Sequence, residues 1–332
     1  MRIALTDPIE PIGEAILREA GHELVPAAGF GADAMRALVA DADALIVRQK
    51  LPDDIVAHGP RLLCAVRHGV GVDLIPVERC TEQGVIVANV PGANADAVAE
   101  FLVAQMLAAA RHAEWMHARL LDTGWGQARQ RTAAATELTG KTLGIVGMGA
   151  IGSRLAEIAG MGFRMRVLGH RRGNAPMPAP AERASLPELF AESDYVALAC
   201  PLTPETKGLV GPELLARMKP GAWLLNVARG PVVQEAPLVE ALRARRIGGA
   251  ALDVFWEQPL PADHPLRTLD NVLLSPHGAG ITQEAATVTS RVAAEEVVRI
   301  LAGQKPRNFI NPDAWAAARA RRAALGHEGS AA

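Results

Sequence analysis

The stretch that most constrains this chain is Leu143-Gly144-Ile145-Val146-Gly147-Met148-Gly149-Ala150-Ile151-Gly152. Leu143 to Val146 is a short apolar run with β-branched members, the pattern of a parallel strand covered on both faces. It runs into Gly-x-Gly-x-x-Gly, and the residues from Ser153 to Gly160 read as a helix. In that setting Gly147 allows a tight turn, Gly149 lets the backbone approach a pyrophosphate, and Gly152 lets the helix pack closely on the strand. The amino end of the helix offers N–H groups and the positive end of its dipole to phosphates, with Ala150 and Ile151 supplying the first of them. Three glycines in a turn say little alone. The strand before and the helix after them make this a dinucleotide-binding turn, so the expected cofactor is NAD or NADP.

The remainder of the chain repeats the same alternation. Ile3-Ala4-Leu5, Ala44 to Val47, Leu62 to Val66 and Val85 to Ala88 read as strands separated by helical patterns such as Pro11 to Ala20. Strands alternating with helices mean α/β architecture with parallel sheets. A length of 332 residues accommodates two domains, and 49% hydrophobic content supplies their cores. In parallel sheets ligands sit beyond the carboxyl ends of strands, which nominates the loops Arg48-Gln49-Lys50 and Arg67-His68-Gly69-Val70-Gly71-Val72-Asp73 for substrate. After Pro91-Gly92, Asn94 or Asp96 is placed to cap a long buried helix, about Ala95 to Leu121. Thr123 to Ala134 reads as a polar loop, and Thr282 to about Leu301 as a second long helix. The tail from Pro312 reads as a short helix with disordered last residues.

Bulk properties narrow the partners. A net charge of −2 with dispersed signs argues against nucleic acid and anionic membranes. Cys64, Cys80 and Cys200 are odd in number and far apart, which suggests reduced thiols in a cytoplasmic protein and no metal site. A strand-like run follows Met1-Arg2 at once, so no secretory leader is expected. The longest apolar run, Phe101 to Ala110, is too short for a membrane span.

Cofactor choice is read at the end of the next strand, Phe163 to Leu168. An acid there would hold the ribose hydroxyls of NAD. This chain has Gly169-His170-Arg171-Arg172. Arginine attracts a 2′-phosphate and binds it bidentately, so Arg171 and Arg172 predict a preference for NADP(H).

Further strands end at Pro201-Leu202-Thr203-Pro204-Glu205-Thr206, Asn226-Val227-Ala228-Arg229-Gly230, Leu252-Asp253-Val254-Phe255 and Ser275-Pro276-His277-Gly278-Ala279-Gly280. With Leu138-Thr139-Gly140-Lys141 leading into the glycine turn, these motifs in this order resemble the D-isomer-specific 2-hydroxyacid dehydrogenases over nearly the whole chain. The resemblance implies two Rossmann-like domains: a flavodoxin-like substrate domain, 1–94 with 281–332, and a dinucleotide-binding domain, 95–280. It also implies a homodimer formed largely through the cofactor domain. The implied reaction moves a hydride between C2 of a 2-hydroxy acid and a nicotinamide, with glyoxylate or hydroxypyruvate as candidate keto acids.

In that reading Arg229 holds the carboxylate and polarises the keto oxygen, a task suited to a planar guanidinium. His277 moves the hydroxyl proton. Val70 and Gly71 offer backbone N–H groups to the substrate, with Lys50 and Asn94 beside them as substrate candidates. Asp253 orients the carboxamide. Pro201, Thr206, Val227, Ala228 and Gly280 complete the cofactor set.

One position departs from the family pattern. Where a Glu usually pairs with the catalytic His, this chain has Gln258, with Glu257 beside it. An amide orients the imidazole but adds no charge to stabilise the imidazolium, so reduction of 2-keto acids is expected to fall off at a lower pH. Formate dehydrogenases of the same superfamily carry Gln there, since formate oxidation releases no hydroxyl proton, and the run Gln258 to Arg267 is similar to theirs. A formate dehydrogenase is therefore the alternative. A third reading, a nucleotide-sensing corepressor-like binding protein, also fits the family's range.

Overall fold

A computed structural model describes residues 1–326. The expected disorder of the last residues falls largely outside them. Two compact units divide the chain, one built from Met1–Asn94 and the chain from Ile281 on, the other from Ala95–Gly280.

In the first unit the strands β1 (Arg2–Leu5), β2 (Glu23–Pro26), β3 (Ala44–Val47), β4 (Cys64–Arg67) and β5 (Ile86–Ala88) form one sheet in the order β2-β1-β3-β4-β5. Every pairing is parallel. This is the flavodoxin-like order, which reverses direction beside β1. β3 is Ala-Leu-Ile-Val and buried throughout, as a central strand covered on both faces must be. Helix Gln283–Leu301 comes from the far end of the chain and lays Ala293, Ala294, Val297 and Ile300 into the core made by β1, β3 and β4. Thr282 caps it, its hydroxyl accepting from the Ala285 N–H at 3.1 Å.

In the second unit β6 (Thr142–Val146), β7 (Arg166–His170), β8 (Glu182–Arg183), β9 (Tyr195–Leu198), β10 (Trp223–Asn226), β11 (Gly249–Leu252) and β12 (Val272–Leu274) pair in parallel in the order β12-β11-β10-β9-β6-β7-β8. The sheet turns about β6, whose two neighbours are β7 and β9. Dinucleotides bind at such a switch point.

The structure corrects several expected boundaries. The long helix ends at Arg111 and a second one, Ala113–Thr123, starts after His112, whose φ of 53° is left-handed. The Ala110 carbonyl accepts from the Thr136 N–H at 2.8 Å instead of continuing the helical ladder. The polar stretch after Thr123 contains a helical turn, Trp125–Ala128, and a 3₁₀ turn, Arg129–Ala134. Strand β7 runs on through His170, so Arg171 is the first residue beyond it. Asn94 does not cap the helix that follows: its Oδ1 is buried without a hydrogen-bond partner. Asp96 lies inside that helix and accepts from Arg154 Nε at 2.6 Å. The tail does form a short helix, Trp315–Ala324.

Candidate active site

The glycine turn joins β6 to helix Ala150–Glu157. Gly147 has φ +104°, and a Cβ there would lie 2.6 Å from the Cys200 N. At Gly152 a Cβ would overlap the Gly147 carbonyl, so the helix comes as close to the strand as only glycine permits. A Cβ on Gly149 would meet nothing within 4 Å. The turn is thus packed on two sides and open on the third, where the N–H groups of the helix's first turn, including Ala150 and Ile151, emerge. These residues fit a pyrophosphate.

Past the end of β7, the Arg183 guanidinium ties down the loop by donating to the carbonyls of Arg171, Gly173 and Ala175. Arg171 Nη1 reaches only the Pro176 carbonyl, at 3.3 Å, and Arg172 Nη1 makes an exposed pair with Glu205 at 3.4 Å. After β9, Thr206 Oγ1 donates to the Pro201 carbonyl at 2.7 Å and accepts from the Thr203 N–H at 2.7 Å. That hydroxyl organises its own loop.

The chemistry-bearing residues follow three adjacent strands. Asn226, Leu252 and Leu274 are in register at the carboxyl ends of β10, β11 and β12. Arg229 comes three residues past the first, Asp253 one past the second, and His277 three past the last. Asn226, fully buried, shapes the first loop: its Oδ1 accepts from the Ala228 N–H and its Nδ2 donates to the Arg229 carbonyl, each at 3.0 Å. The Val227 N–H donates to the Leu198 carbonyl at 3.3 Å. Arg229 Nη1 donates to the Ala228 carbonyl at 2.7 Å.

Asp253 is buried, and its carboxylate is the hub of the His277 turn. It accepts from Ser275 Oγ at 2.7 Å, the Gly278 N–H at 2.9 Å and the Ala279 N–H at 3.0 Å. The His277 N–H donates to the Asp253 carbonyl at 2.9 Å. These bonds hold His277 at φ 56°, a left-handed conformation that a non-glycine residue keeps only when its surroundings impose it. Gly280 closes the segment.

Gln258 meets the imidazole. Its Oε1 lies 3.0 Å from His277 Nδ1 and its Nε2 donates to the Phe255 carbonyl at 3.4 Å. The second bond sets which way the amide faces. Since an amide oxygen only accepts, Nδ1 carries a proton. Among the described residues, Glu257 makes no hydrogen bond that would replace Gln258 in this register.

In the first unit the loop after β4 is built to aim N–H groups. Arg67 donates to the carbonyls of Val47 at 2.8 Å, His68 at 2.7 Å and Gly71 at 3.1 Å. The Gly69 carbonyl accepts from the Val90 N–H at 2.9 Å and the Val70 carbonyl from Asn89 Nδ2 at 2.7 Å. In a trans peptide the N–H points opposite to the preceding C=O. With the Gly69 and Val70 carbonyls turned inward, the N–H groups of Val70 and Gly71 turn outward, a concavity suited to an anion. Lys50 is exposed beyond β3. Its loop is pinned to β1 by the Thr6 hydroxyl, which accepts from the N–H groups of Arg48 and Gln49. Asn94 closes this unit with its unpartnered Oδ1. Asn226, the wrapping of Asp253 and the role of Arg67 are absent from the sequence-level site. Each works through bonds that no local motif encodes.

Comparison with known proteins places this geometry. Residues 103–279 match the family described as D-isomer specific 2-hydroxyacid dehydrogenase, NAD binding domain. The chain is 41% identical over 283 residues to a glyoxylate reductase of Aeropyrum pernix, covering 82% of this chain and 83% of the relative. It is 38% identical over 317 residues to a D-3-phosphoglycerate dehydrogenase of Methanocaldococcus jannaschii, covering 94% of this chain but 59% of the relative, so it spans about three-fifths of that protein's length. Among solved structures, an NAD-dependent formate dehydrogenase from Staphylococcus aureus in complex with NAD is similar with a TM-score of 0.83 and 30% identity, covering 93% of this chain and 99% of that one. With a dinucleotide turn at the switch point of β6 and the Arg, Asp and His loops on three neighbouring strands, the chain belongs to the D-isomer specific 2-hydroxyacid dehydrogenase family.

Proposed function

We propose that this chain is an NADP-preferring D-2-hydroxyacid dehydrogenase, working as a 2-keto acid reductase or in the reverse direction, with glyoxylate, hydroxypyruvate or a related 2-keto acid as substrate. The observation that carries the reading is the His277–Gln258 pair, which fixes a protonated Nδ1 and so assigns proton exchange with substrate to Nε2. When bound, the nicotinamide supplies the hydride that adds to C2 of the keto acid. Arg229 holds the carboxylate and draws electron density toward the keto oxygen. Reduction uses the His277 imidazolium: Nε2 gives that oxygen its proton and the ring is left neutral with its proton on Nδ1, so the keto acid leaves as the hydroxy acid with one hydride and one proton gained. Val70 and Gly71 receive the carboxylate through their N–H groups, with Lys50 and Asn94 as further substrate contacts. Asp253 orients the carboxamide while holding the His277 turn. The unit from 95 to 280 takes the cofactor and the other takes the substrate. The proposal extends to a cytoplasmic homodimer, its cytoplasmic part resting on three free, buried cysteines.

Gln258 itself favours a second reading, formate oxidation, which needs no proton acceptor and is the activity named for the S. aureus structure. Initial rates decide between them. Glyoxylate, hydroxypyruvate and a longer 2-keto acid are each tested with NADPH and NADH, and formate with NADP and NAD, across pH. The expected result is keto acid reduction, lowered by about 100-fold or more in Arg229→Ala because the developing charge loses its cation. Gln258→Glu should carry reduction to higher pH, since a carboxylate stabilises the imidazolium. Formate oxidation without keto acid reduction would establish the second reading.

A further inference from the structure

The loop that carries Gln258 is tied to the segment that follows Arg229, and the ties involve residues with no part in the chemistry. Trp256 Nε1–H donates to the Val233 carbonyl at 2.6 Å. His264 Nε2 lies 2.8 Å from Glu235 Oε1. The Trp256 and His264 rings stack, with centroids 6.4 Å apart and planes 10° apart. The Leu266 N–H points into His264 Nδ1 at 3.2 Å, so the ring proton is on Nε2, which donates to Glu235. The backbones also touch: a Cβ on Gly230 would overlap the Phe255 carbonyl group. Exposed His–carboxylate pairs contribute little. This one has an imidazole side chain only 10% exposed, in a single tautomer, stacked on an indole whose own N–H is engaged.

We infer that Trp256, His264 and Glu235 form a clasp that positions the Gln258 amide, and through it the His277 ring, relative to Arg229. The clasp spans two loops of one sheet edge. One loop leaves β10 with Arg229 and reaches Val233 and Glu235, at the start of helix Glu235–Arg243. The other leaves β11 with Asp253 and passes Trp256, Gln258 and His264. Each loop alone could slide along the other. Two hydrogen bonds between the loops set their register, and the ring stack holds Trp256 and His264 together within the second loop, so the amide reaches Nδ1 at hydrogen-bond distance instead of through water. Misplacement of a catalytic group by about 1 Å can cost about 100-fold in rate. The three residues are positioning residues, since each acts through the Gln258 amide, and the inference rests on the functional reading above.

The test uses the full chain carrying His264→Ala, Glu235→Ala, Glu235→Gln, Trp256→Phe, Gln258→Ala and the double variant His264→Ala/Gln258→Ala. Loss of the clasp should lower kcat for keto acid reduction by about tenfold and leave KM within about twofold, because the interaction acts on the proton-transfer step. Glu235→Gln should restore most of the rate, since an amide oxygen accepts the same N–H. The double variant should be no slower than Gln258→Ala alone, because the clasp works through that amide. Additive losses, or a fall in kcat/KM carried by KM, would overturn the inference.

A second readout needs no turnover. The ¹⁵N shifts of the two His277 ring nitrogens report which of them carries the proton. They should converge in His264→Ala and stay apart in Glu235→Gln; unchanged shifts in His264→Ala would also overturn the inference. If the wild type reduces no keto acid, the functional reading fails while the ring shifts still decide the clasp. If His264→Ala does not fold, Glu235→Ala and Trp256→Phe carry the same comparison.

Discussion

Arg171 stands where a dinucleotide enzyme chooses between two cofactors. An acid at the end of β7 would pair with the ribose hydroxyls and repel a 2′-phosphate. Under the NADP proposal Arg171 does the reverse; the Arg183 guanidinium fixes its backbone while its own side chain is only lightly engaged. Arg172 is a weaker candidate, because it already has Glu205 as an exposed partner. A charge-assisted hydrogen bond contributes roughly 1.5–3 kcal/mol. Arg171→Ala should therefore raise KM for NADPH about tenfold, the lower end suiting an exposed site, and leave NADH within about twofold. An unchanged ratio of the two KM values would end the NADP proposal. What the sequence does place is the arginine's position just past β7, because that depends only on its distance past the glycines. The glycine turn is legible for the same reason, since its task is local. Asn226 is not: the motif contains it, but its use of both amide atoms to bend the Arg229 loop appears only with the backbone in place. Asn94 misleads for a related reason, because a capping residue type before a helix is indistinguishable by sequence from a side chain turned elsewhere.

At the scale of elements, the loop after β4 is where structure adds most. Its inward carbonyls are held by the Val90 N–H and Asn89 Nδ2 while Arg67 braces the backbone on either side, and His68 is anchored to helix Gln283–Leu301 through Ser290 Oγ at 2.8 Å. Ser290 already accepts from the Glu10 N–H, so its own proton is available to the imidazole, which must be neutral to take it. Burial first, then the positive charges of Arg48 and Arg67, push the His68 pKa down to about 4. The unfolded chain therefore binds this proton more readily than the folded one. Stability from His68 is fully present above pH 6.5 and is lost as pH falls toward about 4, to a total of about 3 kcal/mol. His68→Gln removes the titration and keeps a side chain that can accept from Ser290. Thermal unfolding at pH 7 and pH 5 should show a smaller drop in Tm for His68→Gln than for the wild type; equal drops would refute the assignment. The strands of both sheets are legible where they are central, since apolar runs such as Ala44 to Val47 must be buried on both sides. Strands β2 and β8 are not. They lie at sheet edges, half-exposed or exposed, and their residues carry no hydrophobic pattern to find.

At the scale of the whole molecule, a chain assembled from two units, one of them closed by its own distant carboxyl-terminal helix, is beyond any window of sequence. Long-range order of that kind is written in no local pattern. The proposed homodimer belongs to this scale as well. Helix Ala113–Thr123 has no buried residue, yet it and the next turn carry Leu120, Leu121 and Trp125, exposed at 46%, 75% and 68%. A helix with large apolar side chains and no buried face has not met its partner within this unit, and clustered exposed apolar residues mark contact surfaces. A second copy is the simplest partner, because a two-fold axis lets one such patch cover its equivalent. The patch lies in the unit that carries the dinucleotide turn, where the proposal puts the interface. Sedimentation velocity should return twice the 35.0 kDa of the chain. Leu121→Asp combined with Trp125→Ser should shift the mass toward that of one chain without changing the far-ultraviolet circular dichroism, since neither side chain belongs to a packed core. A wild type that sediments as one chain would refute the dimer, and a double variant that stays dimeric would move the interface off this helix.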